Sequence, residues 1–62
     1  MLQIKTIADR LDNAKDFDDK VNKALENGWI ITKRYLSEPK NGGDGMYYRM
    51  LIAELIKREK HG

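Results

Sequence analysis

Met46-Tyr47-Tyr48-Arg49-Met50-Leu51-Ile52-Ala53-Glu54-Leu55-Ile56-Lys57-Arg58-Glu59 is the stretch on which the fold turns. Intrinsic propensity favours a helix there. Met50, Leu51, Ala53, Glu54, Leu55 and Lys57 are good helix formers, and Tyr47, Leu51, Glu54 and Leu55 fall on one helical stripe. In an extended chain the same residues divide by parity. Tyr47, Arg49, Leu51, Ala53 and Leu55 then share one face, and Tyr48, Met50, Ile52, Glu54 and Ile56 share the other. The neighbouring segments decide between the two. A strand here forms a hairpin with the apolar run before it and gives the N-terminal segment a sheet to join, whereas two strands alone are marginal. The sequence therefore predicts a strand over 46–59.

Upstream of it, Trp29-Ile30-Ile31-Thr32-Lys33-Arg34-Tyr35-Leu36 is rich in β-branched and aromatic residues and reads as the partner strand. Between the two, residues 37–45 hold Pro39, Gly42, Gly43 and Gly45, a composition that predicts a flexible loop without regular structure. Upstream, Phe17, Val21, Ala24 and Leu25 recur at helical spacing. Asp16 is the expected N-cap, Asp18 and Asp19 suit the positive end of the helix dipole, and Asn27-Gly28 is a stop signal. A helix is predicted from Asp16 to Asn27, with Trp29 in the core at the helix–sheet junction. Leu2 to Ala8 alternates, with Leu2, Ile4 and Thr6 on one side and Gln3 and Lys5 on the other, until Ile7 breaks the pattern. That is the signature of a half-buried strand. Asp9 to Ala14 follows as a polar turn, and 59–62 as a charged, frayed tail.

The order is β-α-β-β over a single domain, 1–62: an α+β fold with one helix packed on a small three-stranded sheet. Its structural residues are Asp16, Phe17, Val21, Leu25, Gly28 and Trp29. One helix covers one sheet face and leaves the other bare. Yet the second and third strands are apolar on both sides, and an exposed apolar face on a monomer usually marks a contact surface. Scattered surplus apolar residues on short strands are the bland alternative. The contact reading names Ile30, Tyr35, Tyr48, Met50 and Ile52, with sheet-to-sheet or edge-to-edge homodimerisation as the simplest way to cover them.

Size and composition narrow the function. A chain of 62 residues buries a modest core, so a partner or second copy would add needed stability. There is no cysteine, and hence neither a disulfide framework nor a thiolate metal site, which fits a reducing compartment. Charged residues are 35% of the chain with both signs interspersed, and the formal net charge of +2 is too small to indicate nucleic acid by itself. No apolar run reaches the length of a membrane span, and the N-terminus lacks the apolar core of a signal peptide. A cytoplasmic protein, of a cell or of something that infects one, is expected.

Glu26-Asn27-Gly28-Trp29-Ile30-Ile31, following a polar-capped helix and followed by a loop and a strand ending Lys57-Arg58, resembles a family of very short bacterial and phage proteins with a Gly-Trp signature and the label "domain of unknown function". The resemblance runs from the first strand to Lys57-Arg58. Many members carry an acidic residue after the tryptophan, where this chain has Ile30. The resemblance implies a small α+β fold, no catalytic residues, and an accessory or host-takeover role.

Candidate chemistry is thin. His61 is the only histidine and adjoins the C-terminal Gly62, without the held geometry a general base needs. Ser37, the only serine, sits in the loop with no histidine nearby in sequence. Gly42-Gly43-Asp44-Gly45 lacks the lysine-hydroxyl ending of a phosphate loop. Asp9, Asp12, Asp16, Asp18 and Asp19 lack the glycine and terminal glutamate of a calcium loop. No enzyme, cofactor or metal site is expected. The first functional expectation is a non-enzymatic protein-interaction module, in the manner of a phage or mobile-element modulator of a host protein. The second is a nucleic-acid-binding module built from Lys33, Arg34, Lys40, Tyr47 and Arg49, since aromatics beside guanidinium groups suit single strands. The plain alternative for those five is sheet packing with solvated edge charges. A small-molecule or nucleotide-sequestering protein with a pocket between subunits is the third.

Overall fold

The computed structural model describes residues 1–43 and 45–58; the expected tail at 59–62, with His61, lies outside them. Strand β1 spans Leu2–Arg10, a 3-10 turn Leu11–Asn13, helix α1 Ala14–Glu26, and strand β2 Ile30–Leu36. Two short strands follow, β3 at Lys40–Asn41 and β4 at Tyr47–Tyr48, and then β5 at Met50–Arg58. The ambiguous stretch is thus extended, as the sheet-completing argument requires. β5 is the central strand of a three-stranded antiparallel sheet in the order β1-β5-β2. The fold is a small α+β fold with one helix on that sheet. The helical propensity of β5 is overridden because both its edges find hydrogen-bonded partners.

Two refinements concern the strands. β4 and β5 are separated at Arg49, whose carbonyl accepts the Leu11 amide at 3.0 Å. The stretch read as irregular, 37–45, contains β3, which pairs with β4 as Lys40 opposite Tyr48 and Asn41 opposite Tyr47. That ribbon closes through a Gly42 amide to Met46 carbonyl bond of 2.8 Å, with Gly43 and Gly45 at positive φ as a tight reversal demands.

The helix begins two residues before the expected start. Asn13 occupies the N-cap position without a side-chain cap bond, and Asp16 falls inside the first turn. The 3-10 turn feeds the helix directly and makes a side-chain cap at Asp16 unnecessary. At the other end the Trp29 amide bonds the Ala24 carbonyl (3.1 Å), the Gly28 amide bonds the Leu25 carbonyl (3.1 Å), and Gly28 has φ +90°. This is a Schellman stop, which turns the chain straight into β2.

The core is Ile7, Phe17, Val21, Ala24, Ala53 and Leu55, with Trp29, Ile31 and Leu51 packed against it. Two sequence expectations change here. The buried helix stripe is Phe17, Val21 and Ala24, while Leu25 remains 42% exposed. Residues at i, i+4 and i+7 point at the sheet, and the i+8 position rotates past it toward solvent. In β1 the residue that breaks the alternation, Ile7, is the buried one, whereas Leu2 and Ile4 are exposed. Ile7 lies opposite the fully buried Ala53, so its parity is that of the helix-covered face.

Candidate functional site

Register assigns every strand residue to a face. On β5 the odd positions Leu51, Ala53 and Leu55 face the helix with the core, so the even positions Met50, Ile52, Glu54, Ile56 and Arg58 lie on the bare face. β1 contributes Leu2, Ile4, Thr6, Ala8 and Arg10 to that bare face. β2 follows the same parity only after one irregularity. The register slips between Ile31 and Lys33, leaving Thr32 as the extra residue, and its hydroxyl donates to the Glu54 carbonyl at 3.1 Å. The slip places Lys33 opposite Glu54 and Tyr35 opposite Ile52 on the bare face, and Arg34 opposite Ala53 on the helix face.

The bare face is therefore a ladder of cross-strand rows. Ile4, Ile56 and Ile30 form one row across all three strands. Thr6, Glu54 and Lys33 form the next, and Ala8, Ile52 and Tyr35 the one after. Arg10 opposite Met50 ends the ladder. Ile4 is 74% exposed and Ile30 60%, so the isoleucine row stands in solvent at both edges of the sheet. One charged row lies between two apolar ones, and the Lys33 ammonium sits 4.9 Å from the centre of the Tyr35 ring.

Of the expected contact residues, Ile30, Tyr35, Met50 and Ile52 share this face, and Tyr48 lies beyond its end, with the Arg10 guanidinium 4.8 Å over its ring. Leu2, Ile4 and Ile56 belong to the same surface and were not among the expected contacts. The signal for Ile56 was its parity with Ile52. The signal for Leu2 and Ile4 was present in the alternation, but nothing in β1 alone says which of its faces the helix covers.

The five residues of the nucleic-acid expectation are not brought together. Lys33 is on the bare face. Arg34 is on the other, bonded to Asp18 at 3.0 Å and 5.6 Å from the Phe17 ring. Lys40 is paired opposite Tyr48 in the short ribbon. Tyr47 and Arg49 line an open cleft of about 480 Å³ with Arg10, Leu11, Asp12, Pro39 and Tyr48.

The helix side is closed by polar ties. Asp9 accepts the Lys20 ammonium at 3.0 Å, the Arg10 amide at 3.1 Å and the Asn13 amide at 3.4 Å. The Lys20 bond above all holds the Asp9 carboxyl below its ordinary range, against a smaller opposing effect of its sheltered position. The ammonium groups of Lys5 and Lys57 lie 5.4 and 5.8 Å from the centre of the Trp29 ring. Among the described residues no group of three or more histidine, cysteine or carboxylate side chains is placed to hold a metal ion. Nor, among them, is any helix long and apolar enough to cross a membrane.

No family model matches the chain, and neither does any curated protein or solved structure.

Proposed function

We propose that this protein is a non-enzymatic interaction module that docks its bare sheet face against another protein surface. The observation that supports it is the pair of apolar rows, Ile4–Ile56–Ile30 and Ala8–Ile52–Tyr35, on a face that the helix does not cover and on which, among the described residues, Ile4 and Ile30 stand 74% and 60% exposed. Apolar rows left exposed in this way lose their hydration cost when a partner covers them. The free edges are poorer candidates. β2 carries the irregularity at Thr32 and the charges of Lys33 and Arg34, and β1 carries Lys5, features that blunt strand addition. The resemblance to short Gly-Trp proteins of bacteria and phages adds an accessory, host-modulating setting to the same reading.

A photoreactive benzophenone amino acid in place of Ile56, on the bare face, tests it against the same group in place of Asn22 on the exposed side of the helix. Protein adducts are expected from position 56 and none from 22. Absence of any protein adduct at 56 retires the reading.

The cleft supports a second reading. Two arginines and two tyrosines meet there, the combination that stacks bases and neutralises phosphates. Binding of a labelled single-stranded oligonucleotide that weakens steeply with salt, and is lost in Arg49→Ala with Arg10→Ala, would support it. Retention of binding in that double variant would remove the cleft from consideration.

A further inference from the structure

The bare face carries a charged row where a purely sticky surface would need none. Glu54, half-buried on the central strand, and Lys33, on the edge strand beside it, lie at the same height along the sheet, between the two apolar rows. Resting on the interaction reading above, we propose that the occupant of this face is a second copy of the chain. The two copies would be related by a two-fold axis parallel to the strands and lying over the boundary between β5 and β2.

The charges select that axis. Two sheets packed face to face sit about 10 Å apart with their strands within about 30° of alignment. An axis directly over β5 would stack Glu54 on Glu54 of the second copy. An axis perpendicular to the strands at this height would do the same. Moving the axis half a strand spacing toward β2 exchanges the strands, so that β5 of each copy covers β2 of the other. Glu54 then meets Lys33 of the second copy, and Lys33 meets its Glu54. The same operation lays Ile56 over Ile30 and Ile52 over Tyr35, so every apolar row covers an apolar row. Leu2 and Ile4 of β1 form the rim. Opposite charges at the centre fix the register, because each alternative pairing leaves a like pair or an unpaired charge out of water. A face of two to three strands lies at the small end of specific interfaces, so the dimer is a concentration-dependent one.

The arrangement makes an unusual prediction about single charge reversals. E54K alone puts cations on both sides of each pairing in its homodimer, and K33E alone puts carboxylates on both sides. Mixed together, the two variants restore both pairs. Sedimentation equilibrium at micromolar concentration should show a wild-type dimer. Each single variant should bind itself at least about tenfold more weakly, since a like-charge contact costs more than the 1.4 kcal/mol that corresponds to that factor. Native mass spectrometry of the equimolar mixture should show the heterodimer in excess over either homodimer. Lys33 and Glu54 are also neighbours within one chain, but intrachain repulsion cannot generate a preference for the heterodimer.

Should a reversal prevent folding, judged by circular dichroism, Ile30→Asp serves instead. Its site is 60% exposed on an edge strand, so the monomer tolerates the change while the dimer loses its central apolar row. A wild-type chain that stays monomeric throughout the micromolar range overturns the proposal, as does a mixture of E54K and K33E with no excess of heterodimer, or a dimer indifferent to Ile30→Asp. The benzophenone probe at position 56 separates the two failures. An adduct with a different protein from a chain that is monomeric retains the docking face and discards the second copy, whereas no adduct discards both.

Discussion

Gly28 shows how one residue sets the path of this chain. Its φ of +90° is left-handed, and a Cβ built there would meet only the Lys57 Cε at 3.7 Å, an ordinary contact. Backbone strain, not crowding, therefore sets the cost of substitution. Gly28→Ala should lower stability by about 1–2 kcal/mol, read from urea unfolding, without changing the fold. Asp9 shows how one charge ties two elements. Its carboxyl is depressed chiefly by the Lys20 bond, so the folded state holds its proton more weakly than the unfolded chain. The stability this contributes is present above the ordinary aspartate value of 3.8 and lost as pH falls through the depressed folded value. Lys20→Met should raise the Asp9 midpoint toward 3.8 in an NMR titration and flatten acid unfolding in that window. An Asp9 midpoint unmoved by Lys20→Met would assign the depression to the Arg10 and Asn13 amides instead.

Among the elements, the helix shows which apolar residues matter and which only look alike. Phe17 is fully buried at the centre of the core, and Leu25, read from the sequence as its equal, is substantially exposed. Phe17→Ala should cost about 3–5 kcal/mol, enough to unfold a domain of this size, while Leu25→Ala should change thermal stability by less than about 1 kcal/mol. Equal losses for the two would mean that the helix rotates by a residue in solution. The helix itself was legible in the sequence because its stripe, acidic first turn and Asn27-Gly28 stop all agree. Its start was not, because the 3-10 turn at Leu11–Asn13 is held by the Arg49 carbonyl, far along the chain. In β2 the extra residue at Thr32 was equally invisible, and it sends Arg34 to the helix face and Lys33 to the bare one. Strict alternation through Thr32 would have reversed both and put Thr32, not Lys33, opposite Glu54.

For the whole molecule the question is what completes the core. Among the described residues six are buried, a small total for a stable domain. The proposed association through the bare face would add buried area by mass action, so the melting temperature should rise with protein concentration in the wild type. That rise should vanish in Ile30→Asp, whose own melting temperature at low concentration should match the wild type. A melting temperature independent of concentration in both would mean that the isolated chain is already as stable as it becomes.

The class of fold follows from the amino-acid sequence alone. Helical periodicity at Phe17, Val21 and Ala24, a glycine stop, a β-branched run after it and parity along the last strand are local patterns, legible from side-chain spacing alone. Parity also showed that Met50, Ile52 and Ile56 share a face before any partner strand was known. The central place of the last strand does not follow from it, since strand order depends on long-range hydrogen bonds that leave no local trace. From that order comes the rest. The helix covers the face of Ile7 and Ala53, Leu2 and Ile4 are left outside, and Glu54 comes to lie beside Lys33. A side chain's face is set by its own strand, but whether that face is inside or outside is set by what packs upon it.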